Sequence, residues 1–500
     1  MASRRRVCAR VVTGVTALVS VLASASTSAA ATLTVNSGGN LQGALDTAAP
    51  GDTIVVAAGA RFSGPFRLPV KPAGAVITIR SSATVPSRRI KPDDAALLPT
   101  IVSSTVEPAL SGTGTSNWRL EGLRFEANAY GEGTVIALQD VTNITLDRLL
   151  IVGGATGQKR GVMGNGRQVT LTRSHIANIW SRGVDSQAFC AWDGAGPYTI
   201  TDNYLEAASE NVMFGGADSA SADRIPSDIT VTGNHFSKQV GWRGQSRNVK
   251  NLFELKSARR VVVRQNLFEH NWTDGQAGTA ILFTPRNQDG RAPWSVVEDV
   301  LFENNIIRGT EGVFSVSGRD NEKASAQTTA ITIRNNLAVA SGMFLLVGNE
   351  VGTLTVDHNT IDQRANFATI FLGDVMEPGA ANSRPAQYAA ASLKITNNLA
   401  NHGEYGVYGD SVGVGTVAFS LTRSYVWTNN VLAGGAGNTY PSVTWLPSLP
   451  EHQQNFNRDY TLVASSKYRL AGSDGKDLGV LGSLPTAVWP PAAAGVPRVY

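Results

Sequence analysis

One pattern recurs along most of this chain: alternating apolar residues, a bend that holds asparagine, then a further apolar pair. It reads "ITVTGNHF" at 229, "VVVRQNLF" at 261, "VLFENNII" at 300, "ITIRNNLA" at 331, "LTVDHNTI" at 354, "LKITNNLA" at 393 and "YVWTNNVL" at 425. The bend asparagine falls at 203, 234, 266, 305, 336, 359, 398 and 430, with gaps of 31, 32, 39, 31, 23, 39 and 32 residues. Alternation with a period of two marks strands, and Asn or a neighbouring Gly tolerates the left-handed angles of a bend. Short strands returning at such intervals, without long helical patterns between them, predict an all-β solenoid, a single-stranded parallel β-helix. Each coil lays its strands on those of the coil before at about 4.8 Å, and the bend asparagines stack into a ladder. A propeller would need tight hairpin signals between antiparallel strands, which are scarce here.

The two ends leave this pattern. "LQGALDTAAPGDTIVVAAG" predicts a short amphipathic helix over Leu41–Ala48 that covers the open end of the stack, where strand edges would otherwise be unpaired. Residues 1–31 have a basic start, a short apolar run and small residues near Ala30, the pattern of a secretory signal and too short to span a membrane. Residues 32–435 then form the β-helix with its N-terminal cap, and 436–500 a C-terminal closing segment. Without the four arginines of the signal, 43 − 4 = 39 bases face 39 acids, so nothing draws the chain toward nucleic acid. Cys190 is then the sole cysteine, which excludes an internal disulfide. The expected product is a secreted monomer, extracellular or periplasmic, with no membrane partner after cleavage.

A second strand series lies between the asparagine units: "VDSQAFC" from 184, "VMFGGAD" from 212, "LFELKSA" from 252, "AILFTPR" from 280 and "VFSVSGR" from 313. With these aligned at their first residues, the second and fourth positions are mostly apolar and point inward, and alternate positions share the outer face. From 212 onward Glu254 and Lys256 then face outward, with Gly216 and Asp218 on the coil before, and Asp185 and Gln187 stand below those if the line from 184 is in register. Thr284 and Arg286 follow on the next coil, then Ser315, Ser317 and Arg319. Long loops leave this region and wall a groove, and their Trp242 and Trp272 suit stacking on sugars. His175, His235 and His270 read as turn or wall residues, and Cys190 as a buried, inert thiol.

The opening "NLQGALDTAAPGDTIVVAAG", the paired-asparagine turns and the closing "YRLAGSDGKDLG" resemble the pectin-lyase-like superfamily of secreted right-handed β-helix proteins, over most of the chain. The resemblance implies a right-handed coil but no single activity, since that superfamily includes lyases, hydrolases, esterases, epimerases and inert fibres. Glu254, Lys256 and Arg286 are further similar to β-helix lyases of the chondroitinase B and alginate lyase type. That likeness implies Lys256 as base, Arg286 as its partner on the adjoining coil, and Glu254 with Asp218 as catalytic carboxylates and ligands for Ca²⁺. Asp185, Gln187, Glu210, Trp242, Trp272 and Arg319 become the substrate contacts, and Glu210 or Asp185 shares the cation. In those lyases the lysine follows a carboxylate pair by some residues, whereas here Lys256 follows Glu254 by two and no second strand-borne Glu precedes it.

The chemistry is that of an acidic polysaccharide. Cleavage by β-elimination needs the uronic carboxylate neutralised, a carbon-bound proton removed and the leaving oxygen protonated, which a lysine base and a Ca²⁺ site supply. Two other readings stay open: a glycoside hydrolase with paired carboxylates drawn from Asp185, Asp218 and Glu254, and a non-catalytic carbohydrate-binding or surface β-helix. No Cys/His zinc cluster and no phosphate loop appears.

Overall fold

The computed structural model describes residues 29–364, 367–373, 388–436 and 439–482. The signal expected over 1–31 lies almost wholly outside them, as does the tail beyond 482. Most coils contribute one strand to each of three parallel sheets. The first and second of these join through the long strands Thr134–Asp147 and Arg160–Thr172 into one 25-stranded sheet beside the 13-stranded third, and the chain is a right-handed parallel β-helix. In one coil Asn251–Leu255 belongs to the second sheet, Ala258–Arg264 to the first and Leu267–Asn271 to the third. The asparagine bend lies between the last two.

Alternation decides what fills the interior. In the first sheet Val261 and Val263 align with Val300 and Phe302, then Ile331 and Ile333, then Leu354 and Val356, and all are buried. Each such side chain contributes roughly 1.5–3 kcal/mol by leaving water. Phenylalanines stack along the same interior, Phe236 on Phe268 with centroids 4.4 Å apart and Phe268 on Phe302 at 5.5 Å. The outward column of this sheet reads Arg264, Glu303, Arg334, Asp357, with Arg334 2.7 Å from Glu303.

All eight bend asparagines are buried and form the expected ladder. The Nδ2 of Asn305 donates to Asn336 Oδ1 at 3.1 Å, to the Val263 carbonyl at 2.9 Å and to the Glu303 carbonyl at 3.0 Å. Its backbone N–H donates to the same Asn336 Oδ1 at 2.9 Å. The left-handed residue is the one before the ladder asparagine: Asp202, Gly233, Gln265, Asn304, Asn335, His358, Asn397 and Asn429 all have φ between 51° and 68°. Asparagine is therefore required at the second bend position for its amide, while the first position needs only tolerance of positive φ.

The N-terminal helix, Leu41–Thr47, is capped by the Asn40 side chain and buries Leu41 and Leu45 against the first coils, as expected. At the other end Tyr440 stacks on Trp427 and Leu446 packs on the core, so residues around 440–446 cover the stack. The chain then turns back along the outside of the coils. Tyr468 and Leu478 pack on Leu399, Val431 and Ala433, and the Gly479 N–H donates to the Asn397 carbonyl at 2.8 Å. The C-terminal segment is thus a lid over the last coil continued by a strap on the wall.

The ladder makes a quantitative expectation. Asn305→Ala strips both the N–H and the Nδ2 of Asn266 of their acceptor, and should cost about 2–3 kcal/mol in urea unfolding. Gln265→Gly, at the first bend position one coil earlier and with φ 55°, should change stability by less than about 0.5 kcal/mol. Equal effects at the two positions would contradict this division of roles.

Candidate active site

The outer face of the second sheet carries the charge cluster. Strand Gln187–Ala191 pairs with Glu210–Phe214, which pairs with Asn251–Leu255, so Gln187, Glu210 and Asn251 form one column. Cys190, Met213 and Glu254 form the next, continued by Leu282 and Ser315. Met213 is therefore the residue beside Glu254, not Phe214: the register expected below this strand is off by one. Val212 and Phe214 point into the core and Met213 points out. Above it the expected register holds, with Thr284 N–H donating to the Leu255 carbonyl at 2.9 Å and Arg286 N–H to the Lys256 carbonyl at 2.8 Å.

Five of the expected residues meet here. Gln187 Nε2 donates to Glu210 Oε2 at 2.7 Å, and Arg160 Nε donates to Gln187 Oε1 at 2.7 Å. Lys250 Nζ lies 2.5 Å from Asp185 and 3.9 Å from Glu210, and Lys256 Nζ lies 3.5 Å from Glu254 Oε1. Glu210 and Glu254 are 0% and 2% exposed, so both carboxylates are withdrawn from water. Burial, reinforced by the charges of Glu254 and Asp185, lifts the Glu210 carboxyl to about 7. Burial also pulls the Lys256 ammonium down, but Glu254, Glu210 and Asp185 outweigh it and hold its pKa above the ordinary lysine value. Gly215, at φ 93°, leaves room for the start of the Lys256 side chain, since a Cβ there would stand 2.9 Å from Lys256 Cβ.

Three buried oxygens in this cluster have no hydrogen-bond partner: Glu210 Oε1, Asn251 Oδ1 and Glu254 Oε2. An all-oxygen set of two carboxylates and an amide suits a hard divalent cation. Among the described residues, no three His, Cys, Asp or Glu side chains are grouped to hold a metal, and the set needs the Asn251 amide to reach three.

Other expected residues are engaged elsewhere. Asp218 accepts the N–H groups of Asp289 at 3.2 Å and Arg291 at 2.9 Å, and so pins a loop; no contact joins it to Glu254, which removes it from the expected catalytic and cation roles. Arg286 follows Lys256 in the backbone ladder, but its guanidinium is held by Asp320 at 3.1 Å, Asn321 at 2.9 Å and Glu322 at 2.6 Å. Arg319 pairs with Glu350 at 3.4 Å. Trp242 and Trp272 are not exposed platforms: both are buried in a satellite cluster with Trp180, Ala208 and Val249. Arginines cover that cluster, Arg247 at 3.3 Å from the Trp180 ring centre and Arg243 at 4.9 Å from that of Trp272, so this wall presents cations and not rings.

Sequence reasoning passed over Arg160, Lys250, Asn251 and Lys238. Lys250 and Asn251 were legible as the residue before the Glu254 strand and that strand's first residue. Lys238 had no signal beyond its place after a third-sheet strand. It is fully buried, and its Nζ donates to the carbonyls of Ala207, Ala208, Ser209 and Asn251 and to Asn211 Oδ1, all within 3.0 Å. Its amine thus ties together the backbone beneath Glu210 and Asn251. The remaining wall residues agree with the sequence reading: His175 stacks on Tyr204, His235 pairs with Glu269, and burial pushes the Cys190 thiol up to about 11.

No family model matches this chain, and no curated protein matches it. Solved structures do resemble it. The PL6 family alginate lyase AlyGC aligns over 91% of this chain and 57% of its own, at 17% identity and a TM-score of 0.54. The catalytic unit of a thermostable GH87 α-1,3-glucanase from Streptomyces thermodiastaticus strain HF3-3 aligns over 84% of this chain and 71% of its own, at 13% identity and a TM-score of 0.51. The present chain thus spans little more than half the length of AlyGC. At these identities the likeness is one of fold, the parallel β-helix. Among the described residues, no helix is long and apolar enough to cross a membrane.

Burial of the tryptophans makes a distinguishing expectation. Trp272→Ala should lower stability by about 3–5 kcal/mol, read by denaturant unfolding, while the KM of the folded fraction moves less than about threefold. A large rise in KM with stability intact would restore Trp272 to the sugar contacts.

Proposed function

We propose that the protein is a secreted polysaccharide-degrading enzyme that cleaves an acidic, uronic-acid-containing chain by β-elimination, with Lys256 as base. The observation that carries this reading is the Lys256 amine, set on the outer face 3.5 Å from Glu254, beside buried carboxylates with unpartnered oxygens. Support of a coarser kind comes from AlyGC, an alginate lyase, and the Streptomyces α-1,3-glucanase: both resembling folds act on polysaccharides.

Glu210, Glu254 and Asn251 are the residues that would hold a Ca²⁺ ion. Such an ion supplies neutralisation of the uronic carboxylate and acidifies the adjacent carbon-bound proton. The side chains of this chain do the rest. Lys250 and Arg160 add positive charge at the edge of the cluster, where an acidic sugar enters. Lys256 Nζ, once neutral, takes the proton from the carbon that bears the carboxylate; the electron pair forms a carbon–carbon double bond, and the glycosidic carbon–oxygen bond breaks. The proton now on Lys256 returns to the departing oxygen, which balances the step.

A hydrolase reading keeps one specific observation in its favour: burial raises Glu210 to about 7, so a share of it carries at neutral pH the proton that a general acid must donate. Products separate the two. Ultraviolet-absorbing unsaturated ends from alginate or polygalacturonate support elimination, and saturated reducing ends support hydrolysis.

Lys256→Arg keeps a cation beside Glu254 but cannot give up its proton. It should fold normally and lose about 10²–10⁴ in kcat on whichever polymer is cleaved. Turnover within about tenfold of the parent would exclude Lys256 as the base. The pH profile adds a signed test: because Asp185 helps to hold Lys256 protonated, kcat/KM should rise toward alkaline pH, and Asp185→Asn should move that rise to lower pH. A shift to higher pH would contradict the electrostatic account.

A further inference from the structure

The column that holds Glu254 continues across the second sheet through Leu282, Ser315 and Leu346 to Phe371 and Tyr408. Ile370, Leu372 and Val407 point into the core on the same strands, which fixes Phe371 and Tyr408 on the outer face. Phe371 and Tyr408 stack with centroids 5.6 Å apart and planes at 26°. Phe367 and Tyr405, just before those two strands, complete a patch: Phe367 lies 5.4 Å from Tyr405 and 5.3 Å from Tyr408. Phe367 is 38% exposed, and the other three rings are partly exposed. Four strand steps separate Glu254 from Phe371 and five separate it from Tyr408, or about 19–24 Å along the solenoid axis.

This patch contrasts with the tryptophans of the loop wall, which are covered by arginines. Two of its rings, Phe371 and Tyr408, sit on strands of the sheet itself in the column that carries Glu254, and Phe367 and Tyr405 immediately precede those strands. Leu282, Ser315 and Leu346, all partly exposed, form an uncharged track between the two. Aromatic rings with accessible faces and phenolic edges suit the apolar faces and hydroxyl rims of sugar rings.

We propose that Phe367, Phe371, Tyr405 and Tyr408 form a distal platform that binds the same polysaccharide chain several sugars away from the bond cleaved at Lys256. The platform rests on the proposed polysaccharide-degrading function and deepens it: it makes the enzyme one that prefers long chains, held at two points on one continuous face. A chain too short to reach from Lys256 to Phe371 gains nothing from the rings.

The test uses the full-length protein with Phe371→Leu and Tyr408→Leu combined, which keeps apolar bulk over the strands and removes the rings; melting temperature confirms folding. Loss of two stacking contacts should lower the ratio of kcat/KM on polymeric alginate or polygalacturonate to that on the trisaccharide about tenfold. Retardation of the Lys256→Arg protein in gels cast with the same polymers should fall in step when the two leucines are added. An unchanged ratio together with unchanged retardation overturns the platform. A parent protein that cleaves no polymer but is retarded through these rings upholds the platform and overturns the proposed reaction. Absence of retardation by every polymer, in a folded parent, overturns the platform.

Discussion

The buried asparagine ladder is the interaction on which the rest of this structure depends. A solenoid has no long-range tertiary closure, so every coil must be placed on its neighbour by local contacts. A ladder amide such as that of Asn305 donates to a side-chain oxygen of the next coil, to a backbone carbonyl of the coil before and to one of its own coil, all out of water. An error of one residue would leave several buried polar groups without partners, at about 1–3 kcal/mol each. The register is therefore reset once per turn. This is why coils of 23 to 39 residues can stack together: the differences in length are expelled into loops. Those loops, pinned by contacts such as Asp218 to the 289–291 backbone, become the walls beside the second sheet.

Reset register also explains how charge can be concentrated on that sheet. Glu210, Glu254 and Lys256 come from two adjacent strands, and their separation is fixed by strand spacing, not by flexible loops. Buried carboxylates are costly unless paired, and Glu210 Oε1 and Glu254 Oε2, with the amide oxygen of Asn251, lack hydrogen-bond partners here, whereas the ladder asparagines are satisfied. Unsatisfied groups of this kind are tolerated where they serve binding or chemistry. Lys238 beneath them shows the opposite strategy, a buried amine with five oxygen partners that holds the backbone in place.

Much of this was legible in the amino-acid order because the ladder writes itself as a spaced asparagine series. The capping helix at Leu41 and the outward position of Glu254 and Lys256 followed from alternation alone. What failed did so for physical reasons. "NVMF" is apolar throughout but for Asn211, so alternation cannot say whether Met213 or Phe214 faces outward; the pairing of Glu210 with Asn251 decides it. The tryptophans looked exposed because their loops are long and polar, yet those same loops carry the arginines that cover them. Asp218 and Arg286 are charged residues at the expected heights, but loop contacts and the Asp320 cluster claim their side chains, which no strand pattern reveals.

The central claim is that the cluster around Lys256 breaks a glycosidic bond without adding water. The most direct measurement is mass spectrometry of the oligosaccharides released from a uronic-acid polymer in ¹⁸O-labelled water. Elimination predicts products that lack one water relative to hydrolysis and carry no ¹⁸O introduced at the new ends. Saturated products with one ¹⁸O at each new reducing end would contradict the account and assign the chemistry to hydrolysis through Glu210 and Glu254.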